Sequence, residues 1–205
     1  MIPARHNAFH VSFFNYYSRW MIHSHFRKTK ILNQVKAENF PVLMIGNHFS
    51  WWDGFIADYI NQSVFRKKLH IMMLEEQLKP RMFLNKAGAY SIKKGSRDAL
   101  STLNYTAGLM EDAGNLVVVY PQGEFESIYR HPVTFEKGIE VIGRKLNHDV
   151  QLIFYAALTD YFSYRKPTLS IYLKEVPQSL VRNVSALESS YNTFLKECHA
   201  NQMPA

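Results

Sequence analysis

Apolar and polar positions alternate along this chain with two periods, and the switches between them mark out its elements. Residues 8–26 place Phe9, Phe13, Tyr16, Tyr17, Trp20 and Met21 at helical spacing. Residues 27–37 read as a short basic helix with Ile31, Leu32 and Val35 inward, closed by Pro41. Val42 to Ile45 is a continuous apolar run, the mark of a short buried strand, and Gly46 ends it. Leu69 to Leu74 reads as a second strand, residues 75–86 as a polar helix and Ala89 to Ile92 as a third, short strand. Leu100, Leu103, Ala107 and Met110 then recur at helical spacing, with Gly114 as a stop. Leu116 to Tyr120 is rich in valine and reads as a strand covered on both faces. A helix over 135–146, a buried strand over 152–158 and a half-covered edge strand over 168–176 follow. Ser185 and Glu188 form a capping box for a last helix, whose Leu187, Tyr191, Phe194, Leu195 and Cys198 share one face.

Strand and helix alternate through most of this length. The pattern predicts an α/β fold with a central, mainly parallel sheet flanked by helices, preceded by an N-terminal amphipathic helical segment. The expected division is residues 1–37 for that segment and 38–205 for the α/β domain. In such folds ligands lie beyond the carboxyl ends of the strands. Three polar turns fall there, at residues 46–53, 93–97 and 120–127, and one crevice can collect all three.

Composition narrows the picture. Of 205 residues, 47% are hydrophobic and 20% charged, a globular balance with enough apolar mass for a substantial core. The formal net charge of +7 favours anionic partners such as phosphates or an anionic membrane. Nucleic acid is not expected, because no long Lys/Arg cluster and no recognised nucleic-acid motif occurs. Cys198 is the one cysteine, which rules out an intrachain disulfide and paired-thiolate zinc and points to a reducing, cytoplasmic setting. No run reaches the ~18 apolar residues needed to span a bilayer, so a soluble or peripheral chain is expected. Arg5, Arg19, Arg27, Lys28 and Lys30 accompany the aromatic first helix, which suits either an anionic membrane interface or docking on the domain. His6, His10, His23 and His25 invite a metal reading, but only His6 and His10 are spaced i,i+4 and no carboxylate accompanies them, so no metal site is expected.

The chemistry concentrates in VLMIGNHFSWWD, residues 42–53. His48 is the side chain here able to take and return a proton near neutrality. Asp53 is placed to hold one imidazole nitrogen and leave the other free. On a regular helix two residues five apart point about 140° away from each other. The pair can therefore meet only if the helix starts after His48, and the capping-box-like Ser50 and Asp53 predict a start at Ser50. The bland alternative is a helix cap beside a turn histidine.

Four blocks in order resemble the glycerolipid acyltransferases, typified by 1-acylglycerol-3-phosphate acyltransferases. The Asn-His-x-x-x-x-Asp hallmark stands here as Asn47, His48 and Asp53. GAYSIKK matches a glycine, a short strand and a basic end, with Lys94 where an arginine is usual. Tyr120, Pro121, Gln122, Gly123, Glu124, Phe125, Glu126 and Ser127 stand for the usual Phe-Pro-Glu-Gly-Thr-Arg-Ser, and Phe135, Lys137 and Gly138 for the fourth block. The resemblance covers roughly residues 40–160.

It implies transfer of an acyl group from a thioester, acyl-CoA or acyl carrier protein as co-substrate with no cofactor, to a hydroxyl of a lysolipid-like acceptor. His48 would be the general base and Asp53 its orienter. Asn47, Ser50, Lys93, Lys94, Tyr120, Pro121, Gln122, Gly123 and Glu124 would bind substrate, and backbone N–H groups around Gly123 would meet the oxyanion. The expected location is peripheral, at the cytoplasmic face of a membrane. Gln122 departs from the usual glutamate, and the usual arginine is replaced in the region of Phe125 and Glu126. An acidic Glu126 suits a phosphate poorly, so the acceptor expected is not simply lysophosphatidate but a zwitterionic lysolipid, an aminolipid, a sugar or another alcohol. A thioesterase of the same fold, or an idle scaffold that binds lipid or carrier protein, are the alternatives.

Overall fold

The strand that ends in Gly46 sits at the centre of the sheet. The computed structural model describes residues 1–32, 35–95 and 97–203. Its strands are β1 (Lys28–Leu32), β2 (Val42–Gly46), β3 (Lys68–Leu74), β4 (Ala89–Ile92), β5 (Asn115–Val119), β6 (Gln151–Asp160) and β7 (Thr168–Val176). They form one sheet in the order β1-β7-β6-β2-β5-β3-β4. The β6–β7 pair is antiparallel and the other pairs are parallel. The mainly parallel α/β sheet is thus present.

The period-two alternation of side chains splits the core in two. Leu43, Ile45, Val117, Val119, Leu152 and Phe154 face one cluster, which includes side chains of α6 (Gly138–Lys145) and α7 (Val184–Ala200). Val42, Met44, Leu116, Val118, Ile153 and Tyr155 face the other, covered by α1 (Ala8–His25) and α2 (Asp53–Ile60). Strands β2, β5 and most of β6 are buried on both faces, as their continuous apolar runs require. Helix α5 (Arg97–Leu109) lies where its apolar repeat predicts.

Several local expectations change. Residues 28–32 form a strand, not a helix, paired in parallel with Thr168–Tyr172. Alternation explains it: Ile31 packs toward one core cluster and Leu32 toward the other. Asn33 and Gln34, also within the expected helix, lie outside the described residues. Strand β7 is consequently interior, and lysine-bearing β1 takes the edge. The polar helix over 75–86 is broken at Pro80 into α3 (Glu75–Leu78), a 3-10 turn (Lys79–Arg81) and α4 (Met82–Asn85). Helix α6 starts at Gly138, three residues later than the pattern predicts; ahead of it the Phe135 N–H donates to Glu188 and the Glu136 N–H to the Pro121 carbonyl. Asn183, not Ser185, caps α7 by accepting from Ala186 N–H. Burial pushes the Cys198 thiol up to about 12, in keeping with a packing role on α7.

Helix α1 is docked along one face and open along the other. Phe14 and Tyr17 pack against Phe55 of α2, and Met21 and Ile22 are buried. Phe9, Phe13, Tyr16 and Trp20 are each more than half exposed. No described helix is long and apolar enough to cross a membrane.

His70 of β3 makes the fold sensitive to acid. Burial first, then the neighbouring His6, holds its imidazole down at about 4 from an ordinary 6.5. The two rings lie 4.7 Å apart, and His70 Nε2 meets Asn115 Oδ1 at 3.2 Å. A depressed folded value means that stability is complete above about 6.5 and lost as the pH falls toward 4. That loss is worth about 3 kcal/mol. Urea midpoints measured across this window should fall in the native chain and fall less in His70→Gln. An equal slope in both would remove His70 from the account.

Candidate active site

The first polar turn leaves β2 at Gly46 and meets α2 at Asp53. Helix α2 starts three residues later than the Ser50 cap predicts. Asp53 instead folds back on the turn. Its Oδ2 accepts from His48 Nδ1 at 2.7 Å, from the Phe49 N–H at 3.0 Å and from the Ser50 N–H at 3.2 Å. An oxygen taking N–H groups in this way reads as a carboxylate, and it fixes the Nδ1–H tautomer of His48. Burial pushes the Asp53 carboxyl above the ordinary range, and the His48 and backbone bonds pull it back in part. Its Oδ1 is buried with no partner among the described residues. His48 Nε2 makes no hydrogen bond to a described residue, and the ring is one-fifth exposed (21%).

The third turn holds the main chain of His48 from both ends. The His48 N–H donates to Gln122 Oε1 at 2.8 Å, and the His48 carbonyl accepts from the Glu126 N–H at 2.9 Å. The ring packs against Tyr120, at 4.5 Å between centroids, and Phe125, at 4.2 Å. Gln122 donates its amide to Glu126, and Glu126 also pairs with Arg130 at 2.8 Å. The Glu126 carboxylate is therefore tied inside the turn and is not a bare charge facing an acceptor. A narrow cleft beside His48 is lined by Asn47, Gln122, Glu126, Ile128, Arg130 and Leu195, among others.

The second turn reaches the third through Lys94. A Cβ on Gly123, which sits at φ +75°, would come within 2.5 Å of Lys94 Nζ. Lys94 also pairs with Glu136 at 3.3 Å. Lys93 is exposed next to it. Ser96, in the same turn, lies outside the described residues.

Other expected binding residues have structural partners. Asn47 uses both amide atoms on the Ala157 backbone, 3.0 and 2.9 Å away, and so ties the turn to β6. The Ser50 hydroxyl accepts from the Trp52 N–H. The Pro121 carbonyl receives Glu136. The Gly123 N–H, expected as an oxyanion donor, donates to the Tyr120 carbonyl at 3.0 Å. The N–H groups of Glu124 and Phe125 have no acceptor among the described residues. No group of three or more His, Cys, Asp or Glu among the described residues is placed to hold a metal. Sequence reasoning missed Tyr155 and gave Arg130 no role. Both reach the site from outside the three polar turns.

Three comparisons bear on this arrangement. A family model described as Acyltransferase matches residues 25–153, more than half of the chain. No curated protein matches it in sequence. Among solved structures, the crystal structure of the 1-acyl-sn-glycerophosphate (LPA) acyltransferase PlsC from Thermotoga maritima is similar, with a TM-score of 0.66. The similarity covers 95% of this chain and 81% of that one at 12% identity, and is one of fold.

Proposed function

Because the chain belongs to the acyltransferase family, we propose that it moves an acyl group from a thioester to the hydroxyl of a lipid-like acceptor, with His48 as base. The observation that carries this is the 2.7 Å bond from His48 Nδ1 to Asp53, which leaves Nε2 without a partner among the described residues at the carboxyl end of a central strand. Nε2 takes the acceptor's hydroxyl proton as its oxygen attacks the thioester carbonyl. The C–O bond forms, the oxyanion collapses, the C–S bond breaks, and the thiolate leaves with the proton from His48. The carboxylate of Asp53 stabilises the imidazolium between those steps. The N–H groups of Glu124 and Phe125 are the donors we assign to the oxyanion. The donor is acyl-CoA or acyl carrier protein.

For the acceptor we propose a neutral or zwitterionic lysolipid, an aminolipid, a sugar or another alcohol in preference to lysophosphatidate. Phe125, not a cation, lies against His48, and Lys94 and Arg130 each already carry a carboxylate partner. Thiol release from both donors, with lysophospholipids, neutral alcohols and no acceptor, tests the reading. Acceptor-dependent release, highest with uncharged or zwitterionic acceptors, is expected. Equal release without acceptor would make the chain a thioesterase, and a preference for lysophosphatidate would overturn the acceptor assignment.

The exposed aromatic stripe of α1, with Trp51 exposed beside the site, supports a peripheral place on an anionic membrane surface. Burying one such ring contributes about 1.5–3 kcal/mol. Phe9→Ser/Tyr16→Ser should therefore bind anionic vesicles at least about tenfold more weakly, with an unchanged melting point. Unchanged binding would remove α1 as the contact.

A further inference from the structure

A line of buried hydroxyl groups runs behind the His48 ring. Tyr155 of β6 donates to the Tyr120 hydroxyl at 2.8 Å. Tyr120, just beyond β5, donates in turn to the main-chain carbonyl of Asp53 at 3.0 Å. Its ring lies nearly parallel to that of His48, at an interplanar angle of 18°. Burial holds both phenols well above their ordinary value, so both keep their protons and remain donors.

The strand order makes this line a demanding one to build. Strand β2 lies between β6 and β5, so Tyr155 must cross β2 to reach Tyr120. It crosses at Gly46, its register partner. A Cβ there would lie 2.0 Å from Tyr155 Cε1, 2.1 Å from Cζ and 2.6 Å from the hydroxyl oxygen. Gly46 is not among the residues with positive φ. The glycine serves the crossing and not a turn.

We propose that Tyr155 is a positioning residue for acyl transfer: acting through Tyr120, it fixes the His48 ring and the backbone of Asp53. This rests on His48 being the base. Among the described residues the Asp53 carboxylate makes its bonds through Oδ2 alone, so its aim depends on where its own backbone is held. No proton travels along the line, because it ends on a carbonyl, which only accepts.

Tyr155→Phe removes the hydroxyl and keeps the ring over Gly46. It should lower kcat about tenfold with KM for both substrates unchanged, since small misplacements at a reacting centre are costly. Tyr120→Phe should do the same. The double variant should be no slower than the slower single, because the hydroxyls act in series. Tyr90→Phe, on edge strand β4, removes an equally buried hydroxyl bonded to Thr106 of α5 and should lower the melting point and leave kcat alone.

A second readout needs no substrate. In nitrogen-labelled histidine spectra, the His48 Nδ1–H signal, identified by its loss in His48→Ala, should exchange with solvent about tenfold faster in Tyr155→Phe. Faster exchange with kcat intact would keep the brace and overturn His48 as base. Unchanged exchange and kcat, a change confined to KM, or a double variant whose loss is the product of the singles would overturn the brace.

Discussion

Replacing His48 with alanine should lower acceptor-dependent thiol release by about 10²–10⁴-fold, the usual contribution of a positioned base. An alcohol is almost wholly protonated at neutral pH, and in the proposed mechanism Nε2 relieves it of the proton. The fold should survive the change. The ring is partly exposed, and its main-chain bonds to Gln122 and Glu126 do not depend on the side chain. Asp53 Oδ2 would keep the Phe49 and Ser50 N–H groups. The loss should therefore appear in kcat with a nearly unchanged melting point. Matched circular dichroism and thiol-release assays check it, and full activity in the variant would sink the mechanism.

Gly46→Ala should be strongly damaging to both stability and activity. Its Cβ would enter the Tyr155 ring, which is itself buried in the core cluster on that face of the sheet. Overpacking of this kind costs about 1–3 kcal/mol, and more where the backbone cannot yield. At 205 residues each kcal/mol lowers the melting point by about 2–4 °C. Activity should fall further than stability, because displacing Tyr155 also releases Tyr120 from behind His48. The same alanine placed in a Tyr155→Leu chain should cost much less stability, since the clash is gone, without restoring kcat. If Gly46→Ala is equally costly with and without the Tyr155 ring, the crossing is not what the glycine is for.

The sequence by itself determined the elements whose pattern is local. The valine-rich run of β5 and the apolar run of β2 could be nothing but covered strands, and the repeat at Leu103, Ala107 and Met110 is helical on spacing alone. The meeting of His48 and Asp53 was also legible, because it depends on one helix start within a few residues. Even the error in that start, Asp53 in place of Ser50, left the pair intact.

Tertiary structure decided the rest. Residues 28–32 became a strand because β7 offered a free edge, a partner some 140 positions away that no local period records. Asn47, Gln122 and Gly123 resembled binding groups in sequence, yet their hydrogen bonds go to Ala157, His48 and Tyr120. Glu126 read as an acid ill suited to a phosphate, and its carboxylate is held by Gln122 and Arg130. Gly46 read as the end of a strand, while its reason lies in Tyr155, 109 residues later, packed across it. Local spacing fixes which face a residue presents. Which group it meets there depends on the order of strands in the sheet, and that order is set by burial of the whole chain.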